Sequence, residues 1–316
     1  MMMMSNSKSK IQKLTAEIKT FARELGFIKI GFSKASKCTN ESDRLSKWIN
    51  KRYYGQMSWI VNSYESRLDP SRLLPDVKTV ISVAMNYFNH VDVKNEKGNG
   101  RISRYAWGND YHDVLMNRMI KLFNYIHEKL PDSKYKICVD TSPILEKYWA
   151  QNSGIGWRGK HSIIMNEEYG SWMFLGEILI NQEFEYDAPE VDKCGNCNLC
   201  IEACPTQAIV EPYVLDASKC ISYLTIENKN EFSPDEKKNL DNWIYGCDIC
   251  QEVCPWNQKS ARQTNIKEFY ARKEIVSLSL HSILNLTEKD FNKLFKNNPV
   301  LRTGYHLMRR NVLALM

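Results

Sequence analysis

CGNCNLCIEACPTQAI, residues 194–209, is a C-x2-C-x2-C-x3-C-P run: Cys194, Cys197, Cys200, Cys204 and Pro205. Three cysteines at this spacing can wrap one end of a cubic [4Fe-4S] cluster, with backbone amides donating to its sulfides. The fourth, followed by proline, points away toward a second cluster. A shortened second run, YGCDICQEVCPWN, carries Cys247, Cys250, Cys254 and Pro255, and Cys220 stands alone between the two. Eight thiols then divide into two sets of four. One is Cys194, Cys197, Cys200 and Cys254. The other is Cys220, Cys247, Cys250 and Cys204, with Cys220 supplying the ligand that the second run lacks. Structural zinc is the competing reading, since C-x2-C pairs also bind zinc, but the C-x3-C-P ending is unusual for it.

Working outward, the chain has 316 residues and 10 cysteines, too long and too cysteine-poor for a disulfide scaffold. Cys38 and Cys138 lie outside the cluster and read as buried small hydrophobes. No run of about 18 apolar residues suggests a membrane span. MMMMSNSKSK has no apolar signal region, so a cytoplasmic, reducing location is expected, where clustered cysteines are metal ligands before disulfides. The 43 Lys+Arg exceed the 37 Asp+Glu by six, which is compatible with a polyanionic partner.

Upstream, Ile11, Leu14, Ile18, Phe21 and Leu25 recur at helical spacing up to Gly26. Strands are expected at 27–33, 79–87, 136–139 and 171–181, with helices at 44–49 and 111–130. HVDVKNEKGNG (90–100) reads as a mobile loop. This predicts an α+β or α/β domain over 1–186, a two-cluster ferredoxin-like domain over 187–258, and a helical segment over 259–316. Asp140 follows an apolar strand end. Its carboxyl could have a raised pKa and act as an acid, or it could cap the next helix. No G-x-G-x-x-G or P-loop is present.

The ordered set SRYAWGNDYH (103–112), DTSPILEKYWAQNSGIGWRGKHS (140–162), EYGSWMFLGEI (168–178), CGNCNLCIEACPTQAI, CISYLTIE (220–227) and YGCDICQEVCPWN (245–257) resembles the epoxyqueuosine reductases over about residues 10–315. The resemblance implies a reductive-dehalogenase/nitroreductase-like cobalamin domain joined to a two-[4Fe-4S] domain. The implied activity is removal of the epoxide oxygen of epoxyqueuosine at the tRNA wobble position. Electrons would pass from an external low-potential donor through the clusters to cobalamin, and Asp140 would give the proton. The family's cobalamin-contacting positions fall on Arg67, Ser103, Asp140, His161, Ile164, Leu175 and Ser222. A tRNA anticodon loop is the implied partner of a monomer with no membrane contact. Trp107, Tyr111, Trp157, Arg104, Arg158 and Lys160 are candidates to meet it, none assigned individually. A cobalamin-dependent reductive dehalogenase and a ferredoxin-type electron carrier are the alternatives.

Overall fold

A computed structural model of the protein describes residues 2–91, 98–276 and 278–316. The reading of 90–100 as a mobile loop falls largely on 92–97, outside the described residues. The helical spacing from Ile11 onward forms α1 (Met2–Glu24). It ends where Gly26 takes φ +89°, a conformation that glycine adopts without strain. Four strands form one sheet: β1 (Lys29–Lys34), β2 (Thr79–Asn86), β3 (Tyr135–Cys138) and β4 (Met173–Ile180), in the order β1-β2-β4-β3. Every pairing is antiparallel, so the domain is α+β in the strict sense, without parallel βαβ crossovers.

β2 is buried along its whole length. Ile81, Val83 and Met85 face one core with Ile18 and Ala22 of α1 and with Leu115, Met119, Leu122 and Ile126 of α3 (Tyr111–Lys129). α2 (Thr39–Asn50) and α4 (Glu146–Asn152) belong to the other side. There Val80 packs with Leu68, Ile144, Trp149 and Leu179, and Ala84 with Ala150, Ile155, Ile164 and Met173. Burial on both faces explains why apolar residues fill both faces of the strand, interrupted by Ser82, and do not alternate with polar ones. Close contact with α4 also dictates Gly31: a Cβ there would stand 1.8 Å from the Ser153 carbonyl oxygen.

The short helices Leu199–Glu202 and Ile249–Glu252 sit inside the two cysteine runs and pack against each other. Strand Trp243–Tyr245 pairs in parallel with Arg101–Ile102. The C-terminal segment folds into short helices. Its Phe291, Phe295, Val300, Met308 and Val312 share a core with Ile102, Ala106, Trp107, Ile244 and Tyr245. Within α6 (Tyr305–Leu313), buried Arg310 donates to the carbonyls of Leu224, Asn228 and Asn230, and Asn311 donates to those of Thr225 and Ile244. These bonds fasten α6 to α5 (Ile221–Ile226).

Candidate active site

The electrostatics of the thiols report which ones are neighbours. Cys200 is pushed up to about 11 by burial and then by Cys254, Cys194 and Cys197, and Cys254 in turn feels Cys197. Burial also raises Cys247 and Cys250. After burial, Cys247 responds to Cys220 and Cys250, while Cys250 responds to Cys220, Cys200 and Cys204. The structure therefore brings Cys194, Cys197, Cys200 and Cys254 together, and separately Cys204, Cys220, Cys247 and Cys250. The two sets meet at Cys200 and Cys250.

Amides are aimed at the sulfurs. Ala208 N–H donates to Cys204 Sγ at 3.3 Å, and the amides of Ser222 and Tyr223 point at Cys220. Those of Trp256 and Asn257 point at Cys254. Crowded, desolvated thiols resist ionisation on their own, whereas cationic iron and converging N–H groups stabilise thiolates. The donor set thus fits iron–sulfur clusters. A cubane places its ligands on four different irons.

Asp140 occupies the bend after β3 with φ +47°, in the left-handed region. Strain of this kind persists only where the surroundings over-determine it. Here the Asp140 N–H donates to Glu146 Oε1 at 2.6 Å. The helix-cap alternative is absent: α4 starts at Glu146 after Leu145, with no side-chain cap. The Asp140 carboxyl is about two-fifths exposed (42 %), and it faces a cleft. His112 Nε2 stands 3.2 Å from Oδ2, His112 Nδ1 stands 2.7 Å from Asp110 Oδ1, and Arg302 Nη1 lies 3.4 Å from Asp140 Oδ2.

The expectation of a raised pKa at Asp140 is reversed. Burial pushes it up, but the His112 hydrogen bond, the charges of His112 and Arg302, and a Tyr111 hydrogen bond outweigh that and hold it below the usual carboxylate range. Burial opposes protonation of His112, yet its bonds to Asp110 and Asp140 raise it to about 9. Glu146 moves the other way, to about 7, through burial and then the charge of Asp140.

The cleft has a volume of about 880 Å³, and its walls include Trp48, Arg67, Asp140, Glu146, Lys147, Arg158, Ser162 and Arg302. That is near the upper end for a small-molecule site. Two buried polar atoms on its wall, Arg158 Nε and Ser162 Oγ, have no partner among the described residues. The charge of Lys147 reaches Cys220, and Lys147 itself feels Cys250, so the cleft adjoins the second thiol set.

Of the expected cofactor contacts, Arg67 and Asp140 line this cleft, while Ser103, His161, Ile164, Leu175 and Ser222 are not among its walls. His161 is buried behind it; burial and then the Lys147 charge lower it to about 4, so it is neutral. Ile164 and Leu175 share an apolar patch. Ser103 donates from Oγ to Asp248 Oδ1 at 2.5 Å.

The expected nucleic-acid contacts are mostly engaged inside the fold. Trp107 and Trp157 are buried core, and Tyr111 stacks on Phe174. Arg104 pairs with Glu252 and Arg158 with Glu41, and Lys160 donates to Cys197 O and Asn198 Oδ1. The sequence reading missed His112, Glu146 and Arg302. Asp110-x-His112 at a helix start was a usable signal for the first. Arg302 had none.

Two families match within the chain: "4Fe-4S double cluster binding domain" over residues 193–257 and "Epoxyqueuosine reductase QueG" over residues 67–141. The epoxyqueuosine reductase of Cellulophaga algicola is 41% identical over 307 residues, 97% of this chain and 98% of that protein. The Escherichia coli enzyme of the same name is 39% identical, covering 96% of this chain and 80% of its own length. Among solved structures, epoxyqueuosine reductase with a tRNA-Tyr epoxyqueuosine-modified stem loop superposes with TM-score 0.88 at 31% identity. The match covers 96% of this chain and 80% of that one.

Proposed function

The chain belongs to the epoxyqueuosine reductase family, and from that premise we propose that it reduces epoxyqueuosine to queuosine at the wobble position of tRNA. The observation that carries this reading is the joining of two features in one cleft. Asp140 is presented on a strained bend to the cleft, and Lys147 links the same cleft to the second thiol set. The substrate class follows from the relative solved with its modified tRNA stem loop.

The eight cysteines hold two [4Fe-4S] clusters, divided as described above. Cobalamin fits the cleft, whose volume, unpartnered Arg158 Nε and Ser162 Oγ, and neutral His161 nearby suit a large polar-rimmed ligand. Arg67 and Asp140 on the cleft wall are assigned to it; Ser103, His161, Ile164, Leu175 and Ser222, which do not line the cleft, are assigned on the family resemblance alone. When bound, these groups supply stepwise electron delivery and a low-valent cobalt of strong reducing power. The protein's own part is acid help and orientation. An alkoxide is a poor leaving group at neutral pH, so Asp140 gives a proton to the departing oxygen, a contribution of about 10²–10⁴-fold. Arg302 bridges Asp140 to Glu227 at 3.4 and 3.1 Å and holds the bend against α5.

The electron donor is an external low-potential carrier, and the protein acts as a cytoplasmic monomer. No helix among the described residues is long and apolar enough to cross a membrane. The test is nucleoside mass spectrometry of tRNA from a strain lacking the gene, with the reconstituted protein added back. Epoxyqueuosine that accumulates and is then converted supports the reading. Unchanged queuosine in a host with no second such enzyme refutes it.

A further inference from the structure

Turning an epoxide into an alkene breaks two C–O bonds, forms one C=C bond and releases water. The balance is two electrons, supplied by the external reductant, and two protons. Asp140 holds one proton at a time, so something must recharge it within each turnover. Resting on the epoxide-reductase reading, we infer that His112 is the relay that charges Asp140: its Nε2–H passes a proton to Asp140 Oδ2 as Asp140 gives one to the departing oxygen, and Asp110 holds the imidazole in register.

The geometry is a line of three groups. Asp110 caps α3 and accepts both the His112 backbone N–H, at 3.0 Å, and Nδ1, at 2.7 Å. That bond fixes Nδ1 as a donor and leaves Nε2, 3.2 Å from Asp140 Oδ2, to carry the exchanged proton. Tyr111 stacks on the imidazole at 4.1 Å and limits its rotation. The His112 side chain is 25 % exposed, enough to refill from water between passes.

The other polar groups facing this line are poorer proton sources. Arg302 does not release its proton in proteins. Burial raises the Tyr111 hydroxyl well above its usual value. Glu146, raised to about 7 by burial and then the charge of Asp140, could hold a proton, but it meets Asp140 only through Oε1 on the backbone N–H and, among the described residues, makes no hydrogen bond to the Asp140 carboxyl. With His112 raised to about 9 and Asp140 lowered, the resting pair stores its proton on His112. His112 acts through Asp140 and is a positioning and relay residue, not one that touches substrate.

The test uses the holoenzyme, an epoxyqueuosine-modified stem loop and reduced viologen as donor. In His112→Gln, kcat at pH 7 should fall about 10²-fold with KM little changed. The wild-type loss of rate above about pH 9 should disappear in the variant. In His112→Ala, added imidazole should restore turnover. A kcat within twofold of wild type in His112→Gln, or a loss that imidazole leaves untouched in variants of normal iron content and melting temperature, overturns the relay. A second arm needs no substrate. Carbethoxylation attacks only neutral imidazole, so its pH dependence at His112, read by peptide mass spectrometry, should have a midpoint near 9 in wild type and lower in Asp140→Asn. A wild-type midpoint near 6.5 overturns the inference. If the wild type reduces no epoxyqueuosine, the substrate reading fails and this arm still decides whether His112 holds the proton.

Discussion

Replacing Cys220 by alanine removes one of four thiols from the set Cys204, Cys220, Cys247 and Cys250 and touches none of the other four. Cys220 caps α5, with the Ser222 and Tyr223 amides aimed at its sulfur. Alanine keeps the backbone, so the fold should survive with a small cavity, a cost of about 1 kcal/mol. The iron content, however, should drop from about eight per chain to about four, because a [4Fe-4S] cluster takes four cysteine ligands. The assay is colorimetric iron together with electron paramagnetic resonance of the dithionite-reduced protein. Two neighbouring reduced clusters broaden each other's signals, and a single survivor gives a simple spectrum. Cys204→Ala should leave the same residual spectrum as Cys220→Ala, since both thiols belong to one set. Cys254→Ala should leave a different one, although Cys254 lies in the same sequence run as Cys247 and Cys250. Cys38→Ala is the control: its thiol, pushed up to about 12 by burial and then by Glu41 and Asp69, lies outside both sets and should cost no iron. Unchanged iron in Cys220→Ala, or matching spectra for Cys220→Ala and Cys254→Ala, would refute the chain-crossed division.

Asp140→Asn should keep full iron yet lose about 10²–10⁴-fold in kcat, and wild-type turnover would sink the acid role. Arg302→Met removes a positive charge 3.4 Å from Asp140. With water-like screening for this half-exposed pair, that charge is worth about 1.2 kcal/mol to the Asp140 carboxylate. A carboxylate lowered in the folded state contributes stability above its unfolded pKa and loses it as pH falls through the folded pKa. The variant's acid-unfolding midpoint should therefore move up at low salt and converge with wild type at 1 M salt; coincident low-salt curves would count against the ion pair. Gly31→Ala must push β1 and Ser153 apart and should destabilise by about 1–3 kcal/mol, read as a lowered melting temperature; an unchanged melt would contradict the close approach.

The sequence made the sheet legible because β2 and β4 are buried and mostly apolar on both faces, the buried Ser82–Glu177 pair excepted, and it made a double-cluster unit legible because ligand spacing along a chain reflects cluster geometry. The state of Asp140 was not legible in the same way. Its surroundings come from His112, 28 residues away, and from Arg302, 162 residues away. An apolar strand end suggested desolvation and a raised pKa, which is the one effect that local sequence can report. The opposing charges arrive only through tertiary contact, and they win. Trp107 and Trp157 illustrate the reverse limit, since aromatic residues beside glycine and arginine suit a stacking surface and a core equally well. Here they are core, with Trp107 Nε1–H donating to the Ile102 carbonyl at 2.7 Å.

The second cysteine run is fixed against the segments that carry Ser103, Arg104 and Ser171 by buried polar contacts at two points. Beside Cys247, buried Asp248 takes the Ser103 hydroxyl on Oδ1 at 2.5 Å and the Arg104 N–H on Oδ2 at 2.8 Å. Burial raises Asp248 to about 6, against the pull of these donors. Beside Cys250 and Cys254, Asn257 takes the Ser171 N–H at 2.6 Å and donates to Ser171 Oγ and Gln251 O, each at 2.8 Å. Glycines permit both approaches: a Cβ on Gly246 would meet Ser103 Cβ at 2.5 Å, and one on Gly170 would meet Asn257 Oδ1 at 2.1 Å. Leaving any of these buried groups without a partner costs about 1–3 kcal/mol, so separating the two regions is opposed several times over. Ser103 also gives its N–H to Tyr245 O at 2.8 Å and so has no free donor left. Ser103 is thereby tied through Asp248 to the loop that carries Cys247, so that a change at either residue leaves a buried partner of the other unpaired.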